Sequence, residues 1–178
     1  MGTIRITTGK YKGRKIDTPG EGTHPMGERE RIALFNMVSE NLPGATVMDA
    51  YAGSGALGLE ALSRGAGNVI FVEKNGTAVR TITENCKMLG VEEDSVRIFR
   101  GSVEKFCDED WALVDMILAD PPYDAFDSDD VQVLADKCLK CGGVLVLSHP
   151  NEAPDLMGIE LVKTRHYAGA TVSVYAKL

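Results

Sequence analysis

Apolar and polar positions change rhythm along the chain. Over residues 3–17, TIRITTGKYKGRKID, Ile4 and Ile6 alternate with polar residues and Ile16 repeats the pattern. This predicts two short strands around a Lys-Gly turn. PGEGTHPMG (19–27) is rich in glycine and proline and reads as a loop. From Glu28 to about Asn41 the period becomes helical, with Ile32, Phe35 and Met37/Val38 apolar and charges between them. Leu42-Pro43-Gly44 stops that helix.

From residue 45 onward, strands and helices alternate. ATVMDA (45–50), NVIFVEK (68–74), SVRIFRG (95–101), VDMILAD (114–120) and GGVLVLSHP (142–150) are short apolar runs of strand length. Helical patterns fall at about 56–64, at 76–90 with Gly90 as its stop, and at 129–140. The tail carries two β-like runs, 160–167 and 170–178, joined by Ala168-Gly169. Repeated β-α-β with continuous apolar strands predicts a parallel sheet covered on both faces, and the tail adds a terminal hairpin. The expected fold class is therefore α/β and Rossmann-like. Its organisation is a small N-terminal hairpin-and-helix extension over 1–42 and a main domain over 43–178. Ligands in such folds bind at the carboxyl ends of the strands.

Composition adds one asymmetry. The net charge is −7, yet residues 1–20 carry Arg5, Lys10, Lys12, Arg14 and Lys15 against one acid, Asp17. Either the hairpin is solvated with lysines guarding its edge, or it is a phosphate-binding patch. No apolar run approaches the ~20 residues of a membrane helix. The first residues, MGTIRITTGK, have no apolar signal core, so a cytoplasmic protein is expected. Four cysteines, Cys86, Cys107, Cys138 and Cys141, include one CxxC without a second pair. They read as ordinary helix-end cysteines, and no metal site is expected. His24, His149 and His166 are expected on the surface or in loops.

Three strand tips carry the chemistry. Gly53, Ser54 and Gly55 lie between the first parallel strand and its helix, where glycines let a ligand approach a helix N-terminus. The spacing Gly53, Gly55, Gly58 alone would fit a dinucleotide, but Asp49 and Tyr51 precede the glycines. Glu73 ends the second strand, placed to accept hydrogen bonds from ribose hydroxyls and to repel a 2′-phosphate. The third tip is Asp120-Pro121-Pro122-Tyr123. Proline ends the strand, and leaves the Pro121 carbonyl beside the Asp120 carboxylate. Two adjacent acceptors suit an amino group, and Tyr123 can stack on a flat ring.

These stretches resemble a known family. DPPY after the fourth parallel strand is similar to the motif of amino-methyltransferases that use S-adenosylmethionine (SAM). YKGRK (11–15), RIALFN (31–36), AGSGALGLEALSRGA (52–66), VEK (72–74) and ADPPY (119–123) stand in the order and spacing of the bacterial 16S rRNA guanine-N2-methyltransferases, the RsmD-like proteins. The resemblance runs from about residue 3 to the end. It implies a seven-stranded SAM-methyltransferase sheet with its last strand antiparallel. It implies a transfer from SAM to the exocyclic N2 of a guanine in 16S rRNA, within an assembled or assembling small subunit, with S-adenosylhomocysteine as the product and no metal. Asp49, Ala50, Tyr51, Gly53, Ser54 and Gly55 would surround the methionine part of SAM, Glu73 and Lys74 the ribose, and Ser102 and Val103 the adenine, with Asp120 also beside the cofactor. Asp120, Pro121, Pro122 and Tyr123 would hold the target base. Lys10, Lys12, Arg14, Lys15 and Arg29 would meet RNA. A monomer is expected.

The chain departs from the family pattern in places. His24-Pro25-Met26 stands where Arg-Pro-Thr is usual, Ile32 where Glu is frequent, and Ser102 where an Asp often faces the adenine amine. Beside an NAD-binding protein, which only the glycine spacing suggests, two alternatives stay open at the level of sequence. One is an amino-methyltransferase for adenine N6 of DNA or another RNA, although no separate target-recognition domain is visible. The other is a catalytically decayed module that binds SAM or RNA.

Overall fold

A computed structural model of the chain describes residues 2–20, 26–167 and 170–178. The N-terminal strands β1 (Thr3–Arg5) and β2 (Lys15–Asp17) pair antiparallel, with Ile4 opposite Ile16. Helix α1 (Glu28–Met37) and a one-turn 3-10 helix (Ser39–Asn41) follow, so the single helix expected to Asn41 is broken at Val38. The main sheet then builds from β3 (Thr46–Ala50), α2 (Ala56–Ser63), β4 (Asn68–Glu73), α3 (Gly76–Leu89), β5 (Val96–Arg100), α4 (Val103–Cys107), β6 (Val114–Ala119), α5 (Ser128–Cys138), β7 (Leu139–His149), β8 (Ile159–Tyr167) and β9 (Ala170–Lys177). Its seven strands run in the order β5-β4-β3-β6-β7-β9-β8. The first five are parallel; β9 joins β7 antiparallel and β8 closes the edge antiparallel. This is the Rossmann-like methyltransferase arrangement expected. The chain reverses strand order between β3 and β6, so the cleft lies at the carboxyl ends of these strands.

The sheet's two faces bury two apolar clusters. Val47, Phe71, Met116, Leu118 and Val146 point to the side covered by α2 and α3, where Ile6, Tyr11 and Ile16 of the hairpin region and Leu34 and Phe35 of α1 join the same core. Met48, Val72, Ile117, Ala119 and Leu147 point to the other side, under α4 and α5. The alternation along each strand is the period-2 pattern of a sheet buried on both faces.

Three details differ from the sequence reading. The five-residue helix α4 was not expected; Ser102 caps it by accepting from the Lys105 N–H, and Phe106 stacks on Trp111 with ring centroids 4.9 Å apart. The helix expected to residue 140 ends at Cys138, because Leu139 leaves it for β7 and pairs with Val114 across a register shift. Of the CxxC cysteines only Cys138 is therefore helical, while Cys141 is exposed on β7. His149 is buried rather than on the surface: its Nε2 lies 2.9 Å from Ser173 Oγ on β9. Burial holds its pKa below the ordinary imidazole value, which favours the neutral ring. His166 is exposed, and His24 and the Ala168-Gly169 link lie outside the described residues.

Candidate active site

Three strand ends converge. Asp49 stands near the end of β3, Glu73 at the end of β4 and Asp120 just past β6. They line one cleft of about 950 Å³, together with Tyr51, Gly53, Ser54, Lys74, Ser102, Val103 and the whole of Asp120–Tyr123. Eleven side chains or backbone positions expected to hold the cofactor are thus almost all on its wall. Ala50 and Gly55 are not. Ala50 is wholly buried in the sheet, and Gly55 sits behind the loop in the left-handed region (φ 77°), where a Cβ would meet Phe71 and Ile82.

The glycine loop is held by the strand ends beside it. The Gly53 N–H donates to Glu73 Oε2 at 2.8 Å and the Asn75 N–H to Oε1 at 2.7 Å. The carboxylate is thereby fixed with an acceptor lone pair left on each oxygen. Asp49 is buried and accepts from the Gly58 N–H at 2.8 Å, one of the unpaired donors in the first turn of α2. Burial pushes its carboxyl well above the usual range, with the charges of Asp120 and Glu73 adding to the rise. Tyr51 takes a left-handed backbone (φ 63°) unusual for a side chain, and turns the loop over the cleft. Burial first, and the nearby acids Asp130 and Glu104 second, push its phenol up to about 12.

At the third tip, Pro121 is buried and Pro122 exposed, and the Ala125 N–H donates to the Pro122 carbonyl at 3.1 Å to close the turn. Burial raises the pKa of Asp120, opposed by a hydrogen bond from Ser148. Tyr123 Oη lies 2.5 Å from Ser148 Oγ on β7. Ser148 was not singled out from sequence. The signal was there: a Ser-His pair follows the apolar VLVL run at the tip of the next parallel strand.

The basic residues lie elsewhere. Lys10, Lys12, Arg14, Lys15 and Arg29 are all exposed, and none lines this cleft. Lys15 borders a second groove of about 330 Å³, with Arg5, Met26, Glu28 and Arg31. Arg14 already donates to the Met88 carbonyl near the end of α3 at 2.5 Å. Arg31 also escaped the sequence reading as a site residue. It is buried, donates to the carbonyls of Met26 (2.8 Å) and Arg5 (2.7 Å), and borders both the cleft and the groove.

Comparison with known proteins follows the same geometry. The family described as Conserved hypothetical protein 95 matches residues 4–176. YlbH of Bacillus subtilis, a candidate rRNA methyltransferase, is 31% identical over 185 residues, covering 98% of this chain and 99% of that protein. The Ribosomal RNA small subunit methyltransferase D of Escherichia coli K12 is 32% identical over 123 residues. The chain belongs to the RsmD-like family. The match to the Escherichia coli enzyme takes in 68% of this chain and 61% of that protein. A solved structure from Escherichia coli, the candidate methyltransferase yhhF, superposes with a TM-score of 0.90 at 25% identity, over 99% of this chain and 98% of that one.

An RsmD-like methyltransferase uses SAM, and the cleft fits it. The Glu73 carboxylate keeps acceptors for a ribose diol, the Gly53–Gly55 turn offers close backbone approach, and Ser102 and Val103 bound the far end. No group of His, Cys, Asp or Glu able to hold a metal ion occurs among the described residues. Nor is any helix among them long and apolar enough to cross a membrane.

Proposed function

We propose that the chain transfers a methyl group to the exocyclic N2 of a guanine in 16S rRNA, within an assembled or assembling small subunit in the cytoplasm. One observation carries this reading. Asp120 and Tyr123 stand at the tip of the strand next to β3, in the cleft that also holds the Glu73 carboxylate and the glycine loop. An amine acceptor and a ring face are thus set beside a cofactor wall. The names of the relatives support ribosomal RNA as the substrate; the choice of guanine N2 rests on the motif.

SAM supplies an electrophilic methyl group. The chain supplies position and acceptors. The amine lone pair of guanine is delocalised into the ring and is a weak nucleophile. Asp120 and the Pro121 carbonyl accept from its two N–H groups and favour a pyramidal nitrogen. Tyr123 fixes the ring plane. Most of the rate then comes from orientation and preorganised acceptors. The methylated nitrogen is strongly acidic and releases its proton afterwards, to Asp120 or water. The target base must leave its stack to reach a strand tip. In this reading residues 1–42 form the RNA-facing extension and 43–178 the methyltransferase domain, acting as a monomer. Lys10, Lys12, Lys15 and Arg29 meet phosphate, while Arg14 also anchors the hairpin to α3. So few phosphate contacts give weak, salt-dependent binding, and naked oligonucleotides are poor substrates.

The test is methyl transfer from labelled SAM to small subunits from cells lacking the endogenous enzyme, followed by digestion to nucleosides. N2-methylguanosine, lost in D120A with SAM binding retained, is the expected result. N6-methyladenosine would replace the substrate, and full turnover by D120A would remove the mechanism.

A further inference from the structure

The mechanism uses Asp120 and Tyr123, but neither explains what holds the two in register. Asp120 follows β6 and Tyr123 lies in a short 3-10 turn three residues later. The residue joining them comes from the neighbouring strand. Ala119 pairs with Leu147, so Asp120 and Ser148 are the next positions on the two adjacent tips. Both fall on the face that carries Leu118 and Val146. Ser148 is only 1% exposed, yet its side chain borders the cleft. Its hydroxyl lies 2.5 Å from Tyr123 Oη, and it stands close enough to the Asp120 carboxyl to pull that group's pKa down.

We propose that Ser148 is a positioning residue for methyl transfer, tying the Asp120 carboxylate and the Tyr123 ring into one unit. The direction of its bonds follows from counting protons. An ionised carboxylate can only accept, so Ser148 O–H donates to Asp120. Its one proton is then used, so Tyr123 O–H donates to Ser148 Oγ. The Tyr123 ring is pinned at its hydroxyl end, which sets the plane on which a base can stack. Asp120 gains a donor that favours its charged, accepting form. A serine here acts through two neighbours and needs no contact with the substrate.

The surroundings make that donor count. Asp120 is faced by Asp49 on β3, with Glu73 beyond it on β4, and by the Tyr123 phenol. Glu30 and Arg31 of α1 border the same cleft. Arg31 is committed to the Met26 and Arg5 carbonyls. Burial favours a protonated Asp120, and Ser148 opposes it. Without the hydroxyl, Asp120 protonates at higher pH and its acceptor is lost sooner on acidification.

The inference rests on the proposed amine methylation for its meaning but not for its test. In aspartate-labelled protein without SAM or RNA, the Asp120 carboxyl resonance is assigned with D120N and titrated in wild type and in S148A. A higher midpoint in S148A is expected; an unchanged midpoint with the fold intact overturns the proposal. With substrate, kcat of S148A falls roughly tenfold, in line with loss of a hydrogen bond to a charged group, and its acidic limb moves up with the Asp120 midpoint. Loss confined to KM, with kcat and its pH profile unmoved, also overturns it. If S148A does not fold, S148T, which keeps the hydroxyl, is compared with S148C: a lower Asp120 midpoint in S148T supports the proposal, and equal midpoints overturn it. If wild type methylates no guanine, the carboxyl titration still decides the role of Ser148.

Discussion

Glu60 and Thr7 are joined twice across 53 residues of sequence: one Glu60 oxygen accepts the Thr7 N–H at 2.9 Å and the other the Thr7 hydroxyl. The same carboxylate takes the Thr8 N–H at 3.1 Å and pairs with Arg64 Nε at 2.9 Å, in a site where Glu60 is fully buried. Ser63 extends the clamp, accepting the Tyr11 N–H and donating to the Thr8 carbonyl. The end of α2 thus grips the segment that carries Lys10 and Lys12. Within GLEALSRGA, the polar residues serve this grip rather than the cofactor loop. E60Q keeps the shape but gives up an acceptor and the charge pair. A loss of about 1–3 kcal/mol in urea denaturation is expected from the unmet buried donors. RNA affinity is expected to fall more than SAM affinity in calorimetry. A variant as stable as wild type would mean that the segment is held by packing alone.

Gly58 tests what the glycine spacing is for. Ala is normally the better helix former by about 1 kcal/mol. A Cβ on Gly58, however, would stand 2.3 Å from Phe71 Cε1 and 2.8 Å from Val69 Cγ1. The helix lies directly on β4 at this point, and an added methyl must push the two apart. G58A is expected to be destabilised by about 1–3 kcal/mol, the cost of overpacking. Thermal melting would show it; a stabilised G58A would restore the propensity argument.

That glycine shows why the fold was more legible than the site. Alternating apolar runs and helical periods gave every parallel strand to within a few residues, because burial on both faces leaves a continuous signal. The strand-tip rule brought Asp49, Glu73 and Asp120 to one place. What stayed hidden was set by tertiary contact. Gly58 matches a dinucleotide spacing but serves helix packing, and Ser148 gains its role only from the β6–β7 register. His149 is polar in sequence and buried in the fold because Ser173 on β9 meets it. Helix α4 spans five residues, too few for a period to show.

Asp49 gives a stability prediction with a defined sign. Its carboxyl titrates well above the ordinary value of 3.8 in the fold, chiefly through burial. At pH above that ordinary value the unfolded chain ionises readily while the native state resists. The native state is therefore disfavoured as pH rises from the unfolded midpoint to the folded one, and the penalty is full above both. D49N removes the penalty and its carbonyl oxygen can still accept from Gly58. The variant is expected to melt higher than wild type at neutral pH, with the gap closing as pH falls toward 3.8. A gap that widens on acidification would contradict the burial argument. Weaker SAM binding is expected alongside, since Asp49 borders the cofactor wall.

The basic hairpin gives the last prediction, and separates two kinds of charge within it. Lys12 and Lys15 are exposed, and among the described residues their side chains meet no hydrogen-bond partner, whereas Arg14 reaches the Met88 carbonyl on α3. If the hairpin binds phosphate, each neutralised contact releases a counterion and adds close to one unit to the salt slope of binding. K12E and K15E are each expected to weaken binding to small subunits and lower that slope by about one, with melting temperature unchanged. R14E should do the same and melt lower as well, because it also detaches the hairpin from α3. The measurement is binding across a salt series, paired with melting curves. Slopes that stay at the wild-type value in both lysine variants would return the hairpin to its other reading, a solvated edge guarded by lysines.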